Sequence, residues 1–384
     1  MTEPNAAAPL KTTPLHAMHL RLGARMVPYA GYDMPLQYPS GIIKEHLHTR
    51  AAASLFDVSH MGQIALRPRS GRIEDAARAL ETLVPADILG LPAGRQRYTM
   101  LTNDAGGVID DIMVANHGDH LLLVVNAARK AADEAHLRAQ LEDRCVVEAV
   151  AGRALIALQG PEAENVLAPL APEIRAMRFM DTRPLTLAGV ACVVSRSGYT
   201  GEDGFEIGTD AAAAEPLCEA LLRNAAAAPA GLGARDSLRL EAGLCLYGSD
   251  LDEATTPVEA ALEWTIAKER RSGAARAGGF PGAAIILGQL TNGAARRRVG
   301  LRPEGRAPVR GGAPLFRAET DRAPTGHVTS GGFGVSLGAP VAMGYVAIDA
   351  AARGTRLFAE VRDKRLPVTV ADLPFVPPHY KRGP

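Results

Sequence analysis

The sequence predicts an α+β fold built on antiparallel sheets with flanking helices, followed by a small C-terminal β domain. Three observations carry that expectation. Residues 98–125 alternate short β runs with tight-turn chemistry at Asn103-Asp-Ala-Gly-Gly107 and His117-Gly-Asp119, the signature of a β-meander. The stretch 270–283, RRSGAARAGGFPGA, is a glycine- and arginine-rich break. Beyond it, from Arg298 to Val376, short β segments between Gly/Pro turns replace nearly all helix, as in a small barrel or sandwich.

The elements follow in order. The first twelve residues are small and proline-rich and read as a flexible tail. Residues 41–54 read as a helix, and a second runs from Ser70, its expected N-cap, to Leu83. Strands are expected at Tyr98–Thr102, Val108–Ala115 and Leu121–Val125, after which Asn126 caps a helix through AARKAADEAHLRAQLED. A strand at Ala154–Leu158 leads into a helix opened by Gly160-Pro161. Strands at Val190–Ser195 and Phe205–Ile207 flank a glycine-rich turn, and Asp210 starts an alanine-rich helix. Gly233 to Ala242 reads as a helix carrying Arg235 and Arg239 on one face. Thr256-Pro-Val-Glu259 is a capping box with proline at the first helical position. The division expected is a tail at 1–12, an α+β region at 13–275 and a β domain at 285–380.

Composition excludes several function classes. The chain has 384 residues, 47% of them hydrophobic, with 42 basic and 42 acidic residues. Such a chain buries a large core and is not intrinsically disordered. With no net charge, general attraction to nucleic acid or an anionic membrane is not expected. No stretch approaches the ~20 apolar residues of a membrane span. The four cysteines stand far apart and read as buried free thiols. With no hydrophobic signal core and no arginine-rich amphipathic start, a cytoplasmic location is expected. There is no HExxH, phosphate loop, GxSxG elbow or dinucleotide fingerprint, so no metal and no nucleotide cofactor are expected. His16 and His19 alone are a weak metal pair.

Two segments could carry chemistry. Asp110-Asp111 interrupts the apolar strand VIDDIMV, and adjacent strand residues face opposite ways. One carboxylate therefore points inward and the other meets solvent. The inward one is either a strand-end aspartate bonding a loop or a general acid/base whose pKa burial raises. The segment 198–206, GYTGEDGFE, joins three glycines, which let a ligand approach the backbone, to the ring of Tyr199 and the carboxylate of Glu206. Arg235 and Arg239 could clamp an acidic tail or pair with acids such as Asp236 and Glu241. Asn126 could be only a cap and Trp264 only core. Together these groups suit a flat, nitrogen-rich heterocycle with an acidic tail.

The collinear runs GYDMPLQY (31–38), LFDVSHMG (55–62), GGVIDD (106–111), LQGP (158–161), SGYTGEDGFEI (197–207), GLGARDSLRLEAGLCLYGSD (231–250), TTPVEAALEWTIAKERR (255–271), APVRGG (307–312), VAMGYV (341–346) and LPFVPPHY (373–380) resemble the T-proteins of the glycine cleavage system, a family of aminomethyltransferases. The resemblance spans about Thr13 to Tyr380. It implies three domains around a central folate site, two of them interleaved over 13–275 and a β-barrel at 285–380. It implies transfer of an aminomethyl group from the lipoyl arm of H-protein to tetrahydrofolate, giving ammonia and 5,10-methylenetetrahydrofolate. It assigns Asp110 as the catalytic residue. Glu206, Arg235 and Tyr380 match folate- or substrate-contacting positions, and Asn126, Tyr199, Tyr247, Trp264 and Arg362 match further positions lining the site. The segment 330–338 lacks a proline that the family often has, which is expected to matter little in a surface loop. The arginines at 270–282 and 296–298 could meet an acidic H-protein or be solvated.

Alternatives within the superfamily are a folate-dependent iron–sulfur maintenance protein, whose lysine-glycine-cysteine motif is missing here, and a methylamine oxidase, for whose flavin domain the chain has no room. A non-catalytic folate-binding module is the alternative of a different class.

Overall fold

The computed structural model describes residues 9–383. Two open sheets and one closed barrel position everything that follows. A five-stranded antiparallel sheet runs in the order Arg95–Thr102, Val108–Asn116, Leu121–Val125, Gly62–Pro68, Cys145–Ala149. A six-stranded sheet runs Thr182–Leu187, Val190–Ser195, Gly204–Asp210, Arg153–Gln159, Ala53–Asp57, Ala227–Pro229, with its last pair parallel. The chain enters the six-stranded sheet at Ala53, leaves to build the five-stranded one, and returns at Arg153. The barrel closes through Arg296–Pro303, Ala339–Ala347, Gly326–Gly334, Pro314–Phe316, Arg356–Val361 and Lys364–Ala371. The fold is α+β with antiparallel sheets, flanking helices and a six-stranded C-terminal barrel.

Burial explains the sequence patterns. Ala154–Leu158 is a continuous apolar run because both faces of its sheet are covered. On one face lie Leu217, Cys218 and Leu221 of the helix Ala211–Leu222, which Asp210 precedes as N-cap. Leu121–Val125 alternates fully and partly buried positions, as a strand in a sheet with unlike faces should. The three largest apolar cores belong one to each sheet and one to the barrel. All four cysteines are buried and free.

Several local expectations are corrected. Residues 1–8 of the expected tail lie outside the described residues, and Lys11 is not loose: its backbone donates to Gly31 and accepts from Asp33. The second helix is Ile73–Leu80, with Arg72 at the N-cap, while Ser70 instead bonds Asp75. The helix after Asn126 begins only at Lys130, so Asn126 is not its cap. Thr256 and Glu259 make both reciprocal bonds of a capping box, at 3.1 and 3.0 Å, yet only turns and a short 3₁₀ segment follow. The segment 330–338 is only in part a surface loop: it runs to Gly334 as barrel strand, and 335–338 form the turn. Ser330 is buried and bonds Arg239 and Asp250, and Ser336 bonds His46 and Glu241, tying the barrel to the rest of the chain.

Candidate active site

Between the sheets and the barrel lies a cavity of about 1340 Å³. Ligand sites usually hold ~300–1,000 Å³, so this one has room for more than one small group. Its wall draws on both large sheets and the barrel: Tyr98, Asp111 and Met113 from the five-stranded sheet with Asn126 just past a strand end, Glu206 from the six-stranded one with Ser197 and Tyr199 from the loop before its strand, and Gly300, Val370 and Ala371 from the barrel.

The aspartate pair sits on Val108–Asn116, opposite Arg95–Thr102. The pairing slips by one residue there: Leu101 faces Asp110 and Thr102 faces Val108, leaving Ile109 as a bulge. From Asp110 to Val114 buried and half-buried positions alternate. Asp110 follows Ile112 and Val114 toward the sheet's own core, and Asp111 follows Met113 toward the cavity. The expectation for Asp110 is corrected in one respect: the structure turns Asp111, not Asp110, toward this cavity. Asp110 is 0% exposed and does not line the cavity; Asp111 does.

Asp111 is held from two sides. The Tyr98 hydroxyl donates to its Oδ2 at 2.9 Å, and the Asn126 side-chain amide donates to its Oδ1 at 2.8 Å. The same amide reaches Asp110 Oδ1 at 2.9 Å, and the Asn126 backbone N–H reaches Asp110 Oδ2 at 2.9 Å. Asn126 thus bridges the two carboxylates. Burial, then the neighbouring Asp110 charge, raises the Asp111 pKa to about 7. Burial, then Asp133 alongside, raises Asp110 to about 8.

The remaining predicted residues divide. Glu206 lines the cavity and accepts from the Ser197 hydroxyl. The Tyr199 hydroxyl donates to the Cys245 carbonyl, and its ring lies 4.7 Å beneath the Arg235 guanidinium. Trp264 is no core residue. It is 65% exposed and stacks on Tyr98 at the cavity wall. Tyr380 lines the cavity, stacked at 4.1 Å on Phe179, with Arg382 beside both rings.

Two predicted residues do not line it. Tyr247 lies behind the aspartates, its hydroxyl donating to the Val108 carbonyl and its ring under Arg129. Arg362 is exposed at the tip of a barrel hairpin, where the turn puts it and Asp363 at φ 51° and 61°. Arg239 does not act as a clamp for a tail either. It is buried and bonded to Asp236, Asp250 and Ser330.

Sequence reading missed His60, Gln96 and a set of arginines. His60 lines the cavity beside Tyr29, and burial, Arg235 and Lys130 push its pKa down to about 4, so it is neutral. The LFDVSHMG run contained it, but no spacing rule marked it. Arg95, Arg97, Arg353 and Arg382 also line the cavity, contributed by segments far apart in sequence. The arginines at 270–298 are mostly consumed internally: Arg270 and Arg276 hold Glu81, Arg297 holds Glu263, and Arg298 holds backbone carbonyls. Among the described residues no three His, Cys, Asp or Glu converge as metal ligands. His16 and His19 separately bind Asp33 and Asp57.

Two family models match the chain: the GCVT N-terminal domain over residues 15–270, and the glycine cleavage T-protein C-terminal barrel domain over 296–377. The mitochondrial aminomethyltransferase of Gallus gallus is 47% identical, over 97% of this chain and 94% of its own length. That of Dictyostelium discoideum is 43% identical, over 97% and 94%. The crystal structure of glycine cleavage system aminomethyltransferase T from Bartonella henselae superposes with a TM-score of 0.90 at 43% identity, covering 97% of this chain and all of that one. The expected cytoplasmic location is corrected by these curated relatives, which are mitochondrial proteins. Compartment is carried by sorting signals, which the composition of a folded chain does not report.

Proposed function

Since the chain belongs to the glycine cleavage T-protein family, we propose that its central cavity is the folate site and that Asp111 is the catalytic carboxylate. Its activity is tetrahydrofolate-dependent aminomethyl transfer in the glycine cleavage system. One observation carries the assignment: a single carboxylate with a raised pKa, oriented by Tyr98 and Asn126, opens on the same cavity as Glu206, Tyr199, Arg235 and Trp264.

The chemistry follows from the reactants. The aminomethyl carbon is bound to a lipoyl sulfur and an amine, and it ends between the N5 and N10 nitrogens of the folate. Two N–H protons leave the folate. One ends on the lipoyl thiol and one on the ammonia. Asp111, ionised, accepts an N–H and stabilises the positive charge that develops on the attacking nitrogen and the iminium-like carbon. Glu206 can accept from ring N–H groups, and the Tyr98–Trp264 and Phe179–Tyr380 stacks offer flat surfaces for aromatic rings. Arg235 and the rim arginines suit the acidic tail. With the folate and the lipoyl arm seated, the cavity leaves less room for the water that would hydrolyse the reactive carbon. H-protein presents its lipoylated arm at the cavity mouth.

Trp264 is the chain's one tryptophan, so intrinsic fluorescence reports on this wall directly. Adding tetrahydrofolate should quench it, and Arg235→Ala should shift the titration about ten-fold or more to weaker binding. A titration unaltered in that variant would remove Arg235 from the site. The pH profile gives a second check. Asp111 must be ionised to accept a proton, so kcat should fall as pH drops through about 7. An acid limb centred near 4 would mean an unperturbed carboxylate, and the assignment would fail.

A further inference from the structure

Behind Asp111 the structure holds a second carboxylate pair that the transfer itself does not use. Asp110 on the strand Val108–Asn116 and Asp133 on the helix Lys130–Leu141 are both 0% exposed. Their carboxyl groups lie close enough for each to perturb the other's ionisation. Neither Asp133 oxygen receives a donor from the rest of the described chain. Asp110, by contrast, accepts two bonds from Asn126, which leaves its other face toward Asp133. Two buried carboxylates in contact cannot both be ionised, and one proton between them satisfies both. The O–H of one then donates to an oxygen of the other, and the pair carries a single negative charge.

We propose that Asp133 is a positioning residue for aminomethyl transfer: it shares one proton with Asp110, and that pair, through the Asn126 amide, holds Asp111 in place at the cavity wall. The inference rests on the reading of Asp111 above. Asn126 is the mechanical link, since its one amide group contacts both Asp110 and Asp111. If the pair loses its proton, two like charges repel within the buried contact. A second full charge then also stands behind Asp111. The groups facing the pair are Asp111, with Tyr98 bonded to it, from the strands, Arg129 from the start of the helix, and Tyr247 with Glu253 from the loop across it. Arg129 favours the single negative charge, and none of the others supplies a second proton to the contact. Burial and the carboxyl contact raise Asp110 to about 8. The pair should therefore lose its proton just above neutrality and impose an alkaline limb on turnover.

Two variants separate positioning from simple structure. Asp133→Asn keeps the shape, and its amide donates permanently to an ionised Asp110, preserving the single charge. Its kcat at pH 7 should stay within about two-fold of wild type, while the alkaline limb near pH 8 disappears. Asp133→Ala removes the partner and should lower kcat roughly ten-fold or more through misplacement of Asp111, with tetrahydrofolate affinity by Trp264 quenching unchanged. A merely structural aspartate would alter melting but leave the pH profile alone. The proposal is overturned if Asp133→Asn keeps the wild-type alkaline limb, or if folded Asp133→Ala, judged by circular dichroism, turns over normally. Either result beside an inactive Asp111→Asn would sink the pair and spare the reading of Asp111. An active Asp111→Asn would sink that reading itself.

Discussion

Replacing Asp111 with asparagine is expected to lower ammonia release from aminomethylated H-protein by about 10²–10⁴-fold, the usual range for loss of a positioned general acid/base. Asparagine keeps the size of the side chain and an oxygen to accept from the Tyr98 hydroxyl, so the strand and its neighbours should hold. It cannot take a proton. The loss should therefore appear in kcat, with tetrahydrofolate binding, read from Trp264, nearly intact. Asp110→Asn should differ in kind. Asp110 has no surface on the cavity, so its variant acts only through Asn126 and Asp133 and should lose less activity. If Asp110→Asn proved the more damaging in kcat while both variants fold and bind folate, the roles given to the two aspartates would have to be exchanged.

The largest stability effect is expected at Arg239. Its guanidinium is buried, bonding Asp250 at 2.8 Å and Ser330 at 2.9 Å, and Asp250 is itself fully enclosed. Arg239→Met keeps most of the side-chain bulk but leaves the Asp250 carboxylate without its counter-charge. Breaking a buried pair from one side costs about 3–5 kcal/mol. Ser330 and Leu246 still donate to Asp250, which places the expected loss near the lower end. The bond to Ser330 crosses from the helix Leu232–Glu241 to the barrel, so the barrel's attachment should weaken as well. Denaturant unfolding checks the size. Arg317→Met, which breaks an exposed pair with Asp349, serves as the control and should cost about 0–1 kcal/mol. Equal costs for the two would show that the Arg239 network carries no special weight.

Most of the elements were legible because their patterns are local. The strand Val190–Ser195 and the hairpin at Asn103–Gly107 follow from alternation and turn chemistry within a few residues. The capping box at Thr256–Glu259 was legible as a hydrogen-bond motif but not as a helix, because the turns after it pack against other segments rather than continuing. Glu206, Tyr199 and Arg235 were legible as polar groups that needed a purpose. The arginines around the cavity were not, since Arg95, Arg353 and Arg382 meet only after the chain has folded. Arg362 matched a motif position, yet the barrel hairpin carries it to an exposed tip.

The aspartate pair separates the two kinds of information most sharply. Alternation along a strand determined, from the sequence by itself, that Asp110 and Asp111 point to opposite faces. It could not say which face mattered, because both are enclosed: one by the apolar core of the five-stranded sheet, the other by the cavity. The register across the bulge at Ile109, and the packing of the six-stranded sheet and barrel on the far side, decided that Asp111 meets the cavity and Asp110 meets Asp133. A two-residue period fixes relative direction, whereas absolute direction depends on what the rest of the chain sets against each face.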